Sequence, residues 1–134
     1  VTPGIYRSCD VLTKLSRVEG MFGPPLEMMH CGGTAVVWDV TGHEDYLVHD
    51  HNALVTPTGD YESVVAALNS LAVDAQLTAR LSTAALHTAA AWPGWAESSA
   101  GFHRWLATVA RHPQPAAETD HLIETSARVG QELQ

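Results

Sequence analysis

Apolar residues recur along this chain in two rhythms. Three short segments rich in apolar residues come early: Val11 to Leu15 within "YRSCDVLTKL", Ala35 to Val40 within "GGTAVVWDV", and "NALVTP", closed by Pro57. The second run is β-branched and bounded by Gly32-Gly33 and Thr41-Gly42, the pattern of a strand buried on both faces. The residues before Val11 read as the end of a helix. Between the first two runs, "PPLEMMHC" predicts a short helix, because proline is tolerated in a first turn and Gly32 can cap the end. After Gly59 the spacing changes to three and four. Val64, Leu68 and Leu71 share one face of a helix over "YESVVAALNSLA" that Asp60 can N-cap. Leu77, Leu81 and Ala84 repeat in a second helix from Asp74 onward, stopped by Pro93-Gly94 in "WPGW". Trp95, Phe102, Leu106 and Val109 line a third. The stretch "HPQPAAETD" reads as a linker and "HLIETSARVGQELQ" as a weakly amphipathic tail helix. The expected division is 1–112 for the folded part and 113–134 for linker and tail.

Strands alternating with helices predict an α/β fold, a Rossmann-like parallel sheet with flanking helices and right-handed crossovers. Three strands make a thin sheet, and the chain opens in what reads as mid-helix. The expectation is therefore the latter part of a larger α/β domain. Composition agrees with a globular chain: 134 residues, 46% hydrophobic and 16% charged, enough for one domain and short for two. The formal charge of −8 repels polyanions, which disfavours nucleic acid as a partner; its plainest role is solubility. No run approaches the roughly 18 apolar residues of a membrane span, and the N-terminus has no basic stretch followed by an apolar one, so a soluble chain is expected. Cys9 and Cys31 form no CxxC and read as two small buried hydrophobes in a reducing compartment.

The segment "EGMFGPPLE" carries the chemistry. In open parallel sheets ligands bind beyond the carboxyl ends of strands, which is where a loop "SRVEGMFG" after the first strand would lie. Gly20 and Gly23 permit positive φ and close approach. The amides of Met21, Phe22 and Gly23, with Leu26 beyond them, can point at an anion at the start of the following helix. Pro24 and Pro25 have no N–H to give. Glu27 would repel a phosphate and suits a neutral diol such as a ribose, while Glu19 can meet another polyol. Together these residues describe a nucleotide-sugar site. The competing structural explanation is that Glu27 favours a helix start and Glu19 is solvated.

The stretch "SRVEGMFGPPLE" resembles the motif of family-four retaining glycosyltransferases of the GT-B fold, two glutamates separated by seven residues. The resemblance runs from Tyr6 to about Leu106 through "YRSCDV", "CGGTAVV", "TGHEDY", "NALV" and "GD". It implies the latter half of the C-terminal donor-binding domain. By that resemblance Glu27 holds the nucleotide ribose, Glu19 is the catalytic glutamate at the donor sugar's hydroxyls, and Gly20, Met21, Phe22, Gly23 and Leu26 belong to the donor-binding loop. Phe22 stands where the family usually has glycine; Leu15 and Ala35 stand where it often has proline. The resemblance further implies retention of configuration, with the leaving diphosphate helping remove the acceptor's proton, and no catalytic metal or other cofactor. It also implies an acceptor glycan or glycoconjugate, a missing N-terminal domain, a setting in polysaccharide biosynthesis, and a cytoplasmic place, or one at the inner membrane face for the full-length protein.

Other candidates carry less. His43, Asp45, His49, Asp50 and His51 crowd "GHEDYLVHDH", but their spacing fits no metal site. Lys14 falls within the first strand and reads as solvated, not as a diphosphate clamp. Trp38 packs in the sheet. Two alternatives stand beside the transferase: a non-catalytic half-domain that binds a nucleotide, a partner chain or a second copy of itself as a homodimer through an unpaired edge, and a nucleotide-sugar epimerase.

Overall fold

A computed structural model describes residues 2–111. The chain divides at the "WPGW" break into two compact units, one up to Trp92 and one from Pro93. In the first, α1 (Thr2–Tyr6), β1 (Val11–Lys14), α2 (Gly23–His30), β2 (Thr34–Trp38), β3 (Leu54–Thr56), α3 (Tyr61–Val73) and α4 (Ala75–Ala91) follow in order. The strands pair in parallel as β1-β2-β3, with Val11 opposite Thr34 and Val36 opposite Leu54. This is the Rossmann-like sheet that the alternation predicts.

All five residues of β2, "TAVVW", are buried, as expected of a central strand covered on both faces. α2 packs on β1, β2 and α4, and α3 packs on β2, β3 and α4. Phe22, Leu26, Met29, Val36, Val37, Trp38 and Leu81 form the centre of the core. On α4 the buried residues are Leu81, Ala85 and Ala89; Leu81 is fully buried and Leu77 packs against the core as expected, while the innermost position after them is Ala85 in place of Ala84. A period of four with alanine at two positions lets this helix lie close to its neighbours.

Side chains of the predicted residue types end the helices. Asp60 accepts the Ser63 N–H at 3.0 Å and Asp74 accepts those of Gln76 and Leu77, each at 2.9 Å, so each carboxylate satisfies donors that a helix start leaves unpaired. At the other end of α2, Gly32 takes φ +90 and donates to the Met29 carbonyl at 3.1 Å, the left-handed C-terminal cap. Trp38 is buried edge-on to Tyr61, with ring centroids 5.1 Å apart. Cys31 is half-buried, but Cys9 is exposed beside the turn that ends α1, which corrects the reading of both as buried.

The second unit is described as far as α5 (Trp95–Arg111). Within it Phe102 of the expected stripe stacks on Trp105, which is not among the residues expected there, with ring centroids 5.7 Å apart. The expected linker and tail at 113–134 lie outside the described residues.

Candidate functional site

The glutamate loop leaves the carboxyl end of β1 and enters α2, and the segment after β2 grips it from the side. Thr41 Oγ1 donates to the Glu19 carbonyl at 2.8 Å. The Phe22 N–H donates to the Gly42 carbonyl at 3.3 Å. The Tyr46 hydroxyl donates to the Phe22 carbonyl. Tyr46 is buried edge-on to Trp92, centroids 5.4 Å apart, and that burial pushes its hydroxyl pKa far above the ordinary tyrosine value. Gly42 takes φ +87, and a Cβ there would fall 1.8 Å from the Gly20 carbonyl oxygen. Two backbones meet here at a distance only glycine permits.

Two expectations about the loop backbone change. Neither Gly20 nor Gly23 takes positive φ; that conformation falls on Gly32, Gly42 and Gly59, because the tight approach is made by the clamp and not by the loop. What Gly20 and Gly23 supply is room, since a Cβ on either would meet nothing within 4 Å. Phe22, at φ −83 and ψ 68, forms an inverse γ-turn in which the Gly23 N–H donates to the Met21 carbonyl at 3.0 Å. The amides of Phe22 and Gly23 thus have partners inside the chain. Met21 is exposed and its N–H has no backbone partner among the described residues. The Phe22 ring, by contrast, is fully buried and anchors the loop to the core.

The two glutamates differ in setting. Glu19 is half-buried and pairs with Lys14, whose ammonium also lies 4.5 Å from the centre of the Phe22 ring. Hydrogen bonds from Lys14 first, then Ser16, hold the Glu19 carboxyl below the usual carboxylate range. Lys14 is consequently not a solvated residue of the first strand: standing at its last position, it turns toward the loop that follows. Glu27 is exposed on α2 and lies beyond the first turn, because the helix begins at Gly23, ahead of the prolines. Tyr6 from α1 stands beside it, its hydroxyl pKa raised by burial and then by hydrogen bonding to Glu27.

The histidine-rich segment is distributed among separate tasks. His43 is buried, with Nδ1 on the Val40 carbonyl and Nε2 3.6 Å from Asp39. His49 Nδ1 accepts the Val55 N–H at 3.1 Å, and Asp50 pairs with Arg80 at 2.7 Å. Among the described residues no three ligand-type side chains converge as a metal would need. Asp39, His43, His49 and Thr56 line a recess of about 360 Å³ at the carboxyl ends of β2 and β3. Glu44 accepts the Gly42 N–H at 2.7 Å, and backbone hydrogen bonds lower its pKa.

Sequence reasoning missed Lys14 and the clamp residues Thr41, Gly42 and Tyr46 as parts of one site. The "TGHEDY" stretch stood out in the sequence, but nothing in it reveals that it touches a loop some twenty residues earlier.

The parallel three-stranded sheet with flanking helices matches part of a GT-B fold, and solved structures of that fold superimpose on it. Sucrose-phosphate synthase from Thermosynechococcus elongatus matches with a TM-score of 0.70 and 19% identity over 78% of this chain and 27% of its own. HepE from Anabaena, in complex with UDP and glucose, matches with a TM-score of 0.72 and 21% identity over 78% and 29%. The C-terminal domain of LpcC, a glycosyl transferase group 1 family protein from Francisella tularensis, matches with 0.61 and 21% over 65% and 45%. The chain thus spans less than half the length of each of these structures. Among curated proteins no sequence match is found. Residues 2–88 match the family model "Glycosyl transferases group 1", and the chain belongs to that family.

Proposed function

We propose that the chain is the donor-binding part of a family-four retaining glycosyltransferase, which moves a sugar from a nucleotide-sugar to an acceptor hydroxyl. The observation that carries this reading is the loop with Glu19 half-buried against Lys14 and Glu27 exposed on the next helix, held by Thr41, Gly42 and Tyr46, in a chain of the glycosyl transferase group 1 family. Glu27 is assigned to the ribose diol and Glu19 to the donor sugar's hydroxyls. The open space at Gly20 and Gly23 admits the diphosphate, and the Met21 amide faces it. HepE binds UDP and UDP-glucose, which makes these the first ligands to try. In the complete enzyme the acceptor attacks from the face that the diphosphate vacates, and preorganised dipoles stabilise the charge on the leaving group. The donor is a substrate; no metal or cofactor is assigned. An upstream acceptor-binding domain and a glycan or glycoconjugate acceptor belong to the same reading, as does a cytoplasmic or membrane-peripheral setting. Among the described residues no helix is long and apolar enough to cross a membrane.

The test is titration of UDP and UDP-glucose into the chain, followed by amide NMR, beside Glu27→Ala. Shifts at Met21 to Gly23 that Glu27→Ala abolishes are expected. A folded spectrum that no nucleotide perturbs would count against a site complete in this chain. In the intact enzyme Glu19→Ala is expected to lower transfer by about a hundredfold; unchanged turnover would remove Glu19 from the reaction.

One observation favours a second reading. β1 and β3 are edge strands among the described residues, and a half-domain with open edges can pair with another copy. Light scattering separates the two, since a monomer at every concentration rules out the homodimer. Membership of a glycosyl transferase family favours transfer over epimerisation, and dependence of turnover on an acceptor distinguishes them.

A further inference from the structure

The acidic loop poses an electrostatic problem for the donor reading. A nucleoside diphosphate must approach a loop and helix that carry Glu19 and Glu27, on a chain of formal charge −8. Lys14 is the only lysine in the sequence, and among the described residues it is the one cation bonded to a carboxylate of this loop. Its position is constrained on two sides: the ammonium meets Glu19, and it lies over the buried Phe22 ring. The titratable groups facing Glu19 are Lys14 from β1 and Tyr46 from the segment after β2. Tyr46 is neutral at physiological pH, so the charge balance at Glu19 falls to Lys14.

We propose that Lys14 is a positioning residue of the donor site: its ammonium neutralises Glu19 and fixes the carboxylate's orientation, so that sugar hydroxyls bind there without the diphosphate being repelled. The inference rests on the donor reading above. It differs from a phosphate clamp, because Lys14 acts through Glu19 and not on the phosphates.

Lys14→Met keeps most of the aliphatic stem over Phe22 and removes the charge; Lys14→Arg keeps the charge. Two measurements on the whole chain test the role. The first needs no nucleotide: the Glu19 carboxyl is titrated by carbon NMR, and its midpoint is expected to rise in Lys14→Met and stay low in Lys14→Arg. The second compares UDP-glucose binding. Lys14→Met is expected to weaken it about fivefold, and the weakening to begin at a higher pH on acidification because Glu19 protonates earlier. Lys14→Arg should restore most of the affinity. In a Glu19→Ala background Lys14→Met should cost nothing more.

An unmoved Glu19 midpoint in Lys14→Met overturns the inference whatever the nucleotide does. A loss that persists in the Glu19→Ala background also overturns it, in favour of direct phosphate contact. If UDP-glucose binds the parent chain and Lys14→Met alike, Lys14 has no role but the donor reading stands. If neither chain binds UDP or UDP-glucose, a donor site complete in this chain is ruled out and the role of Lys14 in it falls too.

Discussion

Gly42 and Tyr46 decide at single positions whether the glutamate loop keeps its shape. A methyl group at 42 would sit 1.8 Å from the Gly20 carbonyl oxygen at a positive φ, so Gly42→Ala must push the loop away or twist the clamp. A loss of about 1–3 kcal/mol is expected, read from the urea midpoint, with amide shifts concentrated at residues 19–23. Removing the Tyr46 hydroxyl leaves the buried Phe22 carbonyl short of a donor, and Tyr46→Phe should cost about 1–2 kcal/mol. The same hydroxyl sets an alkaline limit. Its folded pKa lies above the unfolded value, so its stabilising effect is complete below about pH 10 and is lost as pH rises toward the folded value. Denaturation followed from pH 8 to 12 should show that loss in the parent chain and a flatter profile in Tyr46→Phe. The sequence marked Glu19, Glu27 and the glycines between them because their spacing is local. It did not reveal Tyr46 or Lys14 as their neighbours, and it misplaced the positive φ, since those contacts join residues brought together by strand pairing.

At the scale of elements, caps and breakers were the most legible features. Asp60, Asp74, Gly32 and the Pro93-Gly94 break stand where the pattern requires them, because a cap satisfies donors and acceptors within four residues of itself. Asp74→Ala should cost about 1 kcal/mol by removing the acceptor for Gln76 and Leu77; an unchanged melting midpoint would show that α4 starts without it. Asn52 was not legible as a structural residue. It is 1% exposed, accepts the Val48 N–H at 2.8 Å and donates to the Tyr46 carbonyl at 2.7 Å and to Thr88 at 2.9 Å. One amide thus ties the turn before β3 to both the clamp and α4. Asn52→Leu leaves buried backbone groups without partners, and a loss of about 3 kcal/mol is expected, larger than at either helix cap.

Over the whole molecule, the carboxylates set the acid limit. Asp50, held low by Arg80, Asp60, held low by Ser63, and Glu19 and Glu44 all have pKa values below their ordinary ones. A lowered folded pKa gives stability that is present above the unfolded value and is lost as pH falls through the folded one. Stability should therefore begin to fall below about pH 4, read from urea midpoints at a series of pH values, and the fall should be smaller in Arg80→Met, which lacks the pairing with Asp50. Fold class followed from alternation alone, since a buried apolar strand repeated between amphipathic helices has few other packings. Strand order, the face each helix covers, and the pairing of Lys14 with Glu19 did not. The sequence by itself determined the elements, their ends and the position of the acidic loop, because each depends on interactions within a few residues. Only the tertiary structure decided which amides remain free and which side chains hold the loop. Those contacts, such as Thr41 with Glu19 and Tyr46 with Phe22, span more than twenty residues and exist only once β2 has paired with β1 in register.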